Sequence, residues 1–421
     1  MDYTSLGIRK DIYDLCSACE VEIKDIFAKY EKNALDCSAK VLRVFHDNYL
    51  SSAHFVETSG YGYSDNGRDK LEKIYAEIFH AEDALVRPQI MSGTHALTIT
   101  LFGLLKSGDT MLAISGDPYD SLQSIIGIKG DSDASLIAHG VSYESIPLVD
   151  DDFDTQAILD RLEASKVKLV EIQRSRGYAS RSSISVDKIE RICKAIRSVD
   201  KDVIIMVDNC YGDFVEDREP IEVGADLIVG SLMKNLGGGY ARAGGYVVGK
   251  SKLVWKVAER FSAPMIGKDA GANFGQIESY FKGLYNAPNV VCSCLKTATL
   301  LSIMLEKLGY EVSPLWDENR ADIVQTVTFH DRQKMVEFCE SYQKGTAVDA
   351  FVTPIVSSTP GYPHDEIMAS GSFTTGSTLE FSCDGPVVEP YTVYAQGALT
   401  YDYGKLGIMI ALSDFLRKQG R

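Results

Sequence analysis

Between residue 84 and about residue 250 one unit recurs: a short apolar run, a turn, then a segment with helical periodicity. The apolar runs are Ala84–Gln89, Thr110–Ile114, Ser142–Leu148, Leu169–Gln173, Val203–Val207, Asp226–Val229 and Gly245–Val248. They are rich in Val, Ile, Leu and Met and do not alternate with polar residues. A strand wetted on one face alternates, whereas a strand covered on both faces does not. The runs therefore predict an α/β fold: a mainly parallel sheet with helices on both sides. Crossovers in such a sheet are right-handed, and ligands bind beyond the carboxyl ends of its strands.

The flanks read differently. Residues 8–32 carry Ile8, Ile12, Leu15, Cys19, Ile23, Ile26 and Phe27 at helical spacing, and a second helix is expected near 38–47. The stretch SSAHFVETSGYGYSDNGRD is rich in Gly, Ser and Asp and reads as a loop. After a helical segment at about 286–308, short strand-like runs and a closing helix predict a smaller α+β domain. The expected division is an N-terminal helical arm over 1–50, a large domain over 51–285, and a linker helix with a small C-terminal domain over 286–421.

The formal net charge is −16, which disfavours nucleic acid and anionic membranes as partners. No apolar run reaches the roughly 18 residues of a membrane span, and the N-terminus lacks the apolar core of a signal peptide. The expected compartment is the cytoplasm. Nine Cys, an odd number, argue against a disulfide framework. Cys16 and Cys19 form a CxxC and Cys292 and Cys294 a CxC, too far apart in the chain for an ordered zinc site. Buried free thiols and no metal are expected.

Four features fall at strand ends in the predicted sheet. MSGTHAL follows the first run and opens a helix, so the N–H groups of Gly93 and Thr94 would face an anion from a helix N-terminus. Tyr119, in GDPYDSL, follows the second run and can stack on a planar ring. Asp208 follows Val203–Val207, and GSLMKNLGGG places Ser231 and Lys234 just past the next run. Singly each is ambiguous: the Asp could hold a metal or a ribose, SGT is a common N-cap, and the Lys could face a nucleotide phosphate. However, GxxxxGK[ST] is absent. Together they match what pyridoxal 5'-phosphate (PLP) requires. A lysine binds the aldehyde and moves protons, a carboxylate keeps the pyridine nitrogen protonated, and a cradle with the Ser231 hydroxyl takes the phosphate.

With these motifs in hand, the chain resembles the fold-type I PLP enzymes of Cys/Met metabolism. It is most similar to the methionine gamma-lyase-like family also called aluminium-resistance proteins. The stretches that carry the resemblance are SGYGYSDNGRDKLE, MSGTHAL, EIQRSRGYASR, VDNCYGDFVE, GSLMKNLGGGYARAGGYVVG, FKGLYNAPNVV, LEFSCDGP and QGALTY, and it covers most of the chain. It implies the fold-type I PLP-dependent transferase fold, PLP on Lys234, and carbon–sulfur lyase chemistry on an amino acid of the methionine, cystathionine or cysteine type. It also implies a homo-oligomer, a tetramer, with shared active sites. Lys234, Asp208, Ser231, Gly93 and Thr94 match positions with fixed roles, and Tyr119 matches the stacking aromatic. Tyr63 and Arg68 resemble the Tyr and Arg that reach a neighbouring subunit's phosphate.

One departure stands out. Gamma-lyases bind the substrate carboxylate with an Arg in the C-terminal domain, yet no Arg lies between Arg332 and Arg417. A buried carboxylate needs a charged partner. QRSRGYASR supplies Arg174, Arg176 and Arg181, of which Arg174 or Arg176 is expected to serve. Rival readings are a PLP-dependent aminotransferase or other amino-acid lyase, and a non-catalytic nucleotide-binding regulator. His95, one residue past the cradle, reads as a helix-start packing residue.

Overall fold

The computed structural model describes residues 3–61, 65–359 and 362–421. It opens with helices α1 (Lys10–Glu22) and α2 (Lys24–Asp47), followed by α3 (Asn66–Ile78). The chain then alternates. Strand β1 (Asp83–Arg87) leads to α4 (Gly93–Leu104), and β2 (Thr110–Ala113) leads to α5 (Asp120–Ile126). After β3 (Ser142–Ser145) come a small hairpin of β4 (Leu148–Val149) and β5 (Asp152–Phe153), then α6 (Thr155–Ala164). Next are β6 (Leu169–Gln173), α7 (Val186–Val199), β7 (Ile204–Asp208), β8 (Leu227–Ser231), β9 (Gly245–Gly249) and α8 (Ser251–Phe261).

The chain divides into two compact units, residues 36–287 and residues 1–35 with 288–421. The first unit holds a seven-stranded sheet in the order β1-β9-β8-β7-β6-β2-β3. Strands β3, β2, β6, β7 and β8 pair in parallel, while β9 runs against both β8 and β1. Strands β6, β7, β8 and β9 are buried at every position, which is why their sequences are apolar without alternation. Side chains from α4, α5 and α8 fill one core with them, including Leu97, Leu101, Leu122, Ile126, Val254 and Val257. The strand ends lie within two residues of the sequence expectation, except in the run from Ser142, where the strand stops at Ser145 and Leu148 begins the hairpin.

The other unit holds a six-stranded antiparallel sheet built from the C-terminal part of the chain. Helices α10 (Arg332–Gln343) and α11 (Tyr401–Lys418) cover it, after the long α9 (Ile277–Lys307). Ile8, Ile12, Cys16, Cys19 and Ile23 share a core here with Leu412 and Phe415. The division therefore departs from the expected one. Residues 1–35 belong with the C-terminal unit because the apolar face of α1 is buried there. Residues 36–50 belong with the large unit, where the Phe45 ring meets Phe281 edge-on with centroids 5.9 Å apart. The second border falls at 287/288. It coincides with Pro288 inside α9, where a helix loses one backbone hydrogen bond.

Helix α9 is long and apolar enough to cross a membrane by length and composition, yet 78% of its most apolar window is buried within the protein. It is the kind of core helix that passes such a test. All nine Cys are free thiols, and all are buried. Burial lifts the Cys16 thiol to about 12 and Cys19 to about 11, so both stay protonated and inert at neutral pH.

Candidate active site

The carboxyl ends of β6, β7 and β8 and the N-terminus of α4 converge on one rim. Asp208 is the last residue of β7 and Ser231 the last of β8. Register brings Gln173, Asp208 and Val229 side by side across the three strands. Asp208 is 4% exposed and accepts the N–H of Cys210 at 3.1 Å. Ser231 accepts the N–H of Met233 at 3.1 Å, which turns the chain out of β8 and toward Lys234. Beyond Lys234 the turn is fixed at Gly238, whose φ of 52° suits glycine. A Cβ there would lie 2.2 Å from the Gly283 carbonyl on α9, so the loop sits directly against that helix.

Helix α4 begins at the same rim. Ser92 is its N-cap and accepts the His95 N–H at 3.1 Å, while Met91 N–H donates to His95 Nδ1 at 3.1 Å. His95 is thus a helix-start residue, and burial lowers its pKa, so the ring stays neutral. Gly93 and Thr94 stand in the first turn, where N–H groups have no acceptor within the helix. A Cβ on Gly93 would lie 3.0 Å from Cys210 Sγ and 3.2 Å from Ser231 Cβ. Only glycine lets the helix end approach β7 and β8 this closely. The Thr94 hydroxyl sits 3.0 Å from the Tyr119 hydroxyl and 3.4 Å from that of Ser121. Tyr119 donates its backbone N–H to Gln173 Oε1 at 2.7 Å, which ties α5 to the end of β6.

Lys234 Nζ stands 4.0 Å from the centre of the Tyr211 ring, in cation–π contact. Burial works against its charge, but Cys210, Tyr211, Asp208 and Tyr119 surround the amine and its pKa is raised overall. Burial also pushes Cys210 and Tyr119 far up, so both are neutral near pH 7 and Asp208 supplies the anionic part of that field. Lys234, Asp208, Ser231, Gly93, Thr94 and Tyr119 therefore form one constellation. Cys210 and Tyr211 belong to it as well and escaped the reading of the sequence. Their signal was position, two and three residues after a strand-end Asp.

The arginines behave differently. Arg174 is fully buried and committed to structure. It donates to Asn209 Oδ1 at 2.7 Å and Glu216 Oε2 at 2.6 Å, and lies 3.5 Å from Glu219. Burial opposes its charge, but these acids hold its pKa up. The expectation that Arg174 takes a substrate carboxylate is corrected: its guanidinium already serves carboxylates from the protein. Arg176 is 2% exposed and lies in the turn after β6, where Asp151 feels its charge. Arg181 caps the end of β6 by donating to the carbonyls of Gln173 and Ser175 at 2.7 and 2.6 Å. Arg68 is buried at the start of α3 and donates to the Gly60 carbonyl at 3.0 Å and to Asp69 at 3.1 Å. Within this chain it shapes its own loop. Tyr63 lies outside the described residues. Among the described residues no group of three His, Cys, Asp or Glu is arranged to hold a metal.

The donor set fits PLP on two structural grounds. The side-chain-free approach at Gly93 leaves first-turn N–H groups and the hydroxyls of Thr94 and Ser231 for a phosphate. A carboxylate and an amine face the same space from neighbouring strand ends.

The methionine gamma-lyase family model matches residues 12–416. This chain belongs to that family. It is 43% identical over 402 residues to the uncharacterized protein YnbB of Bacillus subtilis (strain 168), covering 95% of each chain. A carbon–sulfur lyase involved in aluminium resistance from Clostridium novyi NT has a solved structure at 40% identity and TM-score 0.94, covering 98% of this chain and 97% of that one. The PLP-dependent protein YhfS from Escherichia coli, at 16% identity and TM-score 0.62, shares the fold over 93% of this chain and 97% of its own. Both solved structures share the overall fold of this chain.

Proposed function

We propose that this chain is a PLP-dependent carbon–sulfur lyase, which cleaves the bond between sulfur and Cβ or Cγ of an amino acid and releases a thiol, a keto acid and ammonia. The observation that carries the reading is the convergence at Gly93, where the α4 N-terminus meets the ends of β7 and β8 that bear Asp208, Ser231 and Lys234. PLP is the cofactor. When bound it supplies an aldehyde for an amine and an electron-withdrawing ring that stabilises negative charge at Cα.

The protein's share follows from its residues. The first turn of α4, with Thr94 and Ser231, holds the phosphate. The Asp208 carboxylate favours a proton on the ring nitrogen, because an adjacent anion favours the charged acid. Tyr119 supplies an aromatic face. Lys234 would hold the cofactor through its amine, and that amine would take the proton from Cα and pass a proton to the leaving sulfur. Arg176, in the turn just past β6, is the candidate for the substrate carboxylate. The cytoplasm as compartment, and a homotetramer in which Tyr63 and Arg68 reach a neighbour's phosphate, belong to the same proposal.

Lys234→Ala tests it. The purified variant should lose both the absorbance of covalently held PLP and thiol release from cystathionine, methionine and cysteine. A variant that keeps a borohydride-reducible PLP adduct and full turnover refutes the assignment. A wild-type protein that moves the amino group to a keto acid instead of releasing ammonia would be an aminotransferase.

A further inference from the structure

Strand β6 carries a charged residue in its middle. Glu171 is 0% exposed, and neither carboxylate oxygen has a hydrogen-bond donor. Its strand neighbours are Ala113 on β2 and Met206 on β7, which offer no polar group from their side chains. Because residues two apart on a strand share a face, Glu171 lies on the same face as Gln173, and Met206 on the same face as Asp208. Glu171 is therefore one step deeper in the sheet than the row formed by Gln173 and Asp208.

An ionised carboxylate in that place would be a buried charge without a partner, and the usual escape is to bind a proton. Burial pushes Glu171 up to about 8, with a further upward push from Asp208 and a smaller downward pull from Arg181. The other titratable groups facing this layer are Tyr143 on β3, whose hydroxyl donates to Asp117 at 2.7 Å, and Tyr119 ahead of α5. Neither is ionised near neutral pH, because burial raises both.

We propose that Glu171 is a positioning residue of the site: a neutral carboxylic acid beneath Asp208 that leaves Asp208 the sole anion of its layer. Loss of the Glu171 proton puts a second negative charge behind Asp208 and strengthens its hold on any proton or cation it faces. The neutrality of Glu171 stands on the fold alone, whereas its effect on the cofactor rests on the function proposed above.

The test compares wild type with Glu171→Gln, which mimics the neutral acid, and Glu171→Met, an apolar chain of similar volume. Thermal midpoints of the cofactor-free proteins are read from about pH 4 to about pH 9, a range that spans both the ordinary Glu pKa and the raised one. A folded-state pKa above the unfolded one means that stability is fully present below the unfolded pKa and is lost as pH rises through the folded pKa. The midpoint of wild type should therefore fall relative to both variants as pH rises toward about 8 and then level off. Holoenzyme absorbance provides the second reading: the spectrum of bound PLP should shift in wild type near that pH and not in the Gln variant. A midpoint difference that is flat with pH, for whichever variant folds, overturns the neutral state. A PLP spectrum with the same pH response in wild type and variant overturns the positioning role. If the Lys234→Ala result refutes the function, the midpoint experiment still decides the state of Glu171.

Discussion

Gly93→Ala adds one methyl group at the point where three elements meet. In the fold this methyl would stand 3.0 Å from Cys210 Sγ and 3.2 Å from Ser231 Cβ. Ser231 ends β8 and Cys210 is buried two residues past β7, so neither is the loose tip of a flexible chain. Overpacking of this kind costs roughly 1–3 kcal/mol. Replacing a helical glycine by alanine returns up to about 1 kcal/mol. The net loss is about 0–3 kcal/mol, a thermal shift of only a few degrees for a chain of this size. The effect on the cofactor should be larger than on the fold, because the helix end must retreat from the rim that it serves. An affinity loss of tenfold or more, about 1.4 kcal/mol, is expected. Titration of cofactor-free protein with PLP, read by absorbance, measures it. A cycle with Cys210→Ala separates the thiol contact, with an expected coupling of about 0.5–3 kcal/mol. A Gly93→Ala protein that binds PLP as tightly as wild type would refute the reasoning, whatever its thermal midpoint.

Two further predictions separate the arginines. Arg174→Met should cost about 3–5 kcal/mol of stability, because it strands buried acids, and calorimetry reads it. The loss should shrink as pH falls, since Glu219, already pushed up by burial, then takes up a proton. Arg176→Ala should raise the KM for amino-acid substrates tenfold or more, and an unchanged KM would remove Arg176 from the substrate site.

The strands of the large sheet were legible because burial on both faces leaves an unbroken apolar run, and the start of α4 because SGT supplies an N-cap serine. The direction of β9 was not legible, since GYVVG reads the same parallel or antiparallel. The partner of α1 was hidden for a related reason. Amphipathic spacing announces that Ile8, Ile12 and Cys19 are buried, and says nothing of what buries them. Arg174 misled because an Arg just past a strand end reads as charge available to a substrate carboxylate, while the acids that enclose it, Glu216 and Glu219, come about forty residues later. Glu171 was visible as a lone charge in LVEIQ. A charged residue within a strand buried on both faces is a signal in its own right, and the residues around it drew the reading away.

The buried network behind Arg174 ties the rim together. The Asn209 amide donates to Asp213 at 2.6 Å and to Glu219 at 3.0 Å, Tyr246 donates to Asp213 at 2.7 Å, and Asn235 donates to the Asp213 carbonyl at 2.9 Å. Burial raises both carboxyls, and the charge of Glu219 raises Asp213 further, while Arg174 pulls Glu219 back down. Asn209 and Asn235 directly follow Asp208 and Lys234. The two strand ends that bear the chemistry are thereby anchored to one polar cluster.

The unit of residues 1–35 and 288–421 is interrupted by the whole of the other unit. This has a consequence for assembly. On the ribosome, residues 36–287 are complete while the partners of α1 are still unmade. The rim with Lys234 lies wholly in that early stretch, so the cofactor's binding groups exist before the chain ends. Helix α1, by contrast, must carry Ile12, Cys16 and Cys19 uncovered until α11 is synthesised about four hundred residues later. Its exposed stripe is a long-lived aggregation hazard of the nascent chain, and slowing translation between α1 and α11 would lengthen that exposure.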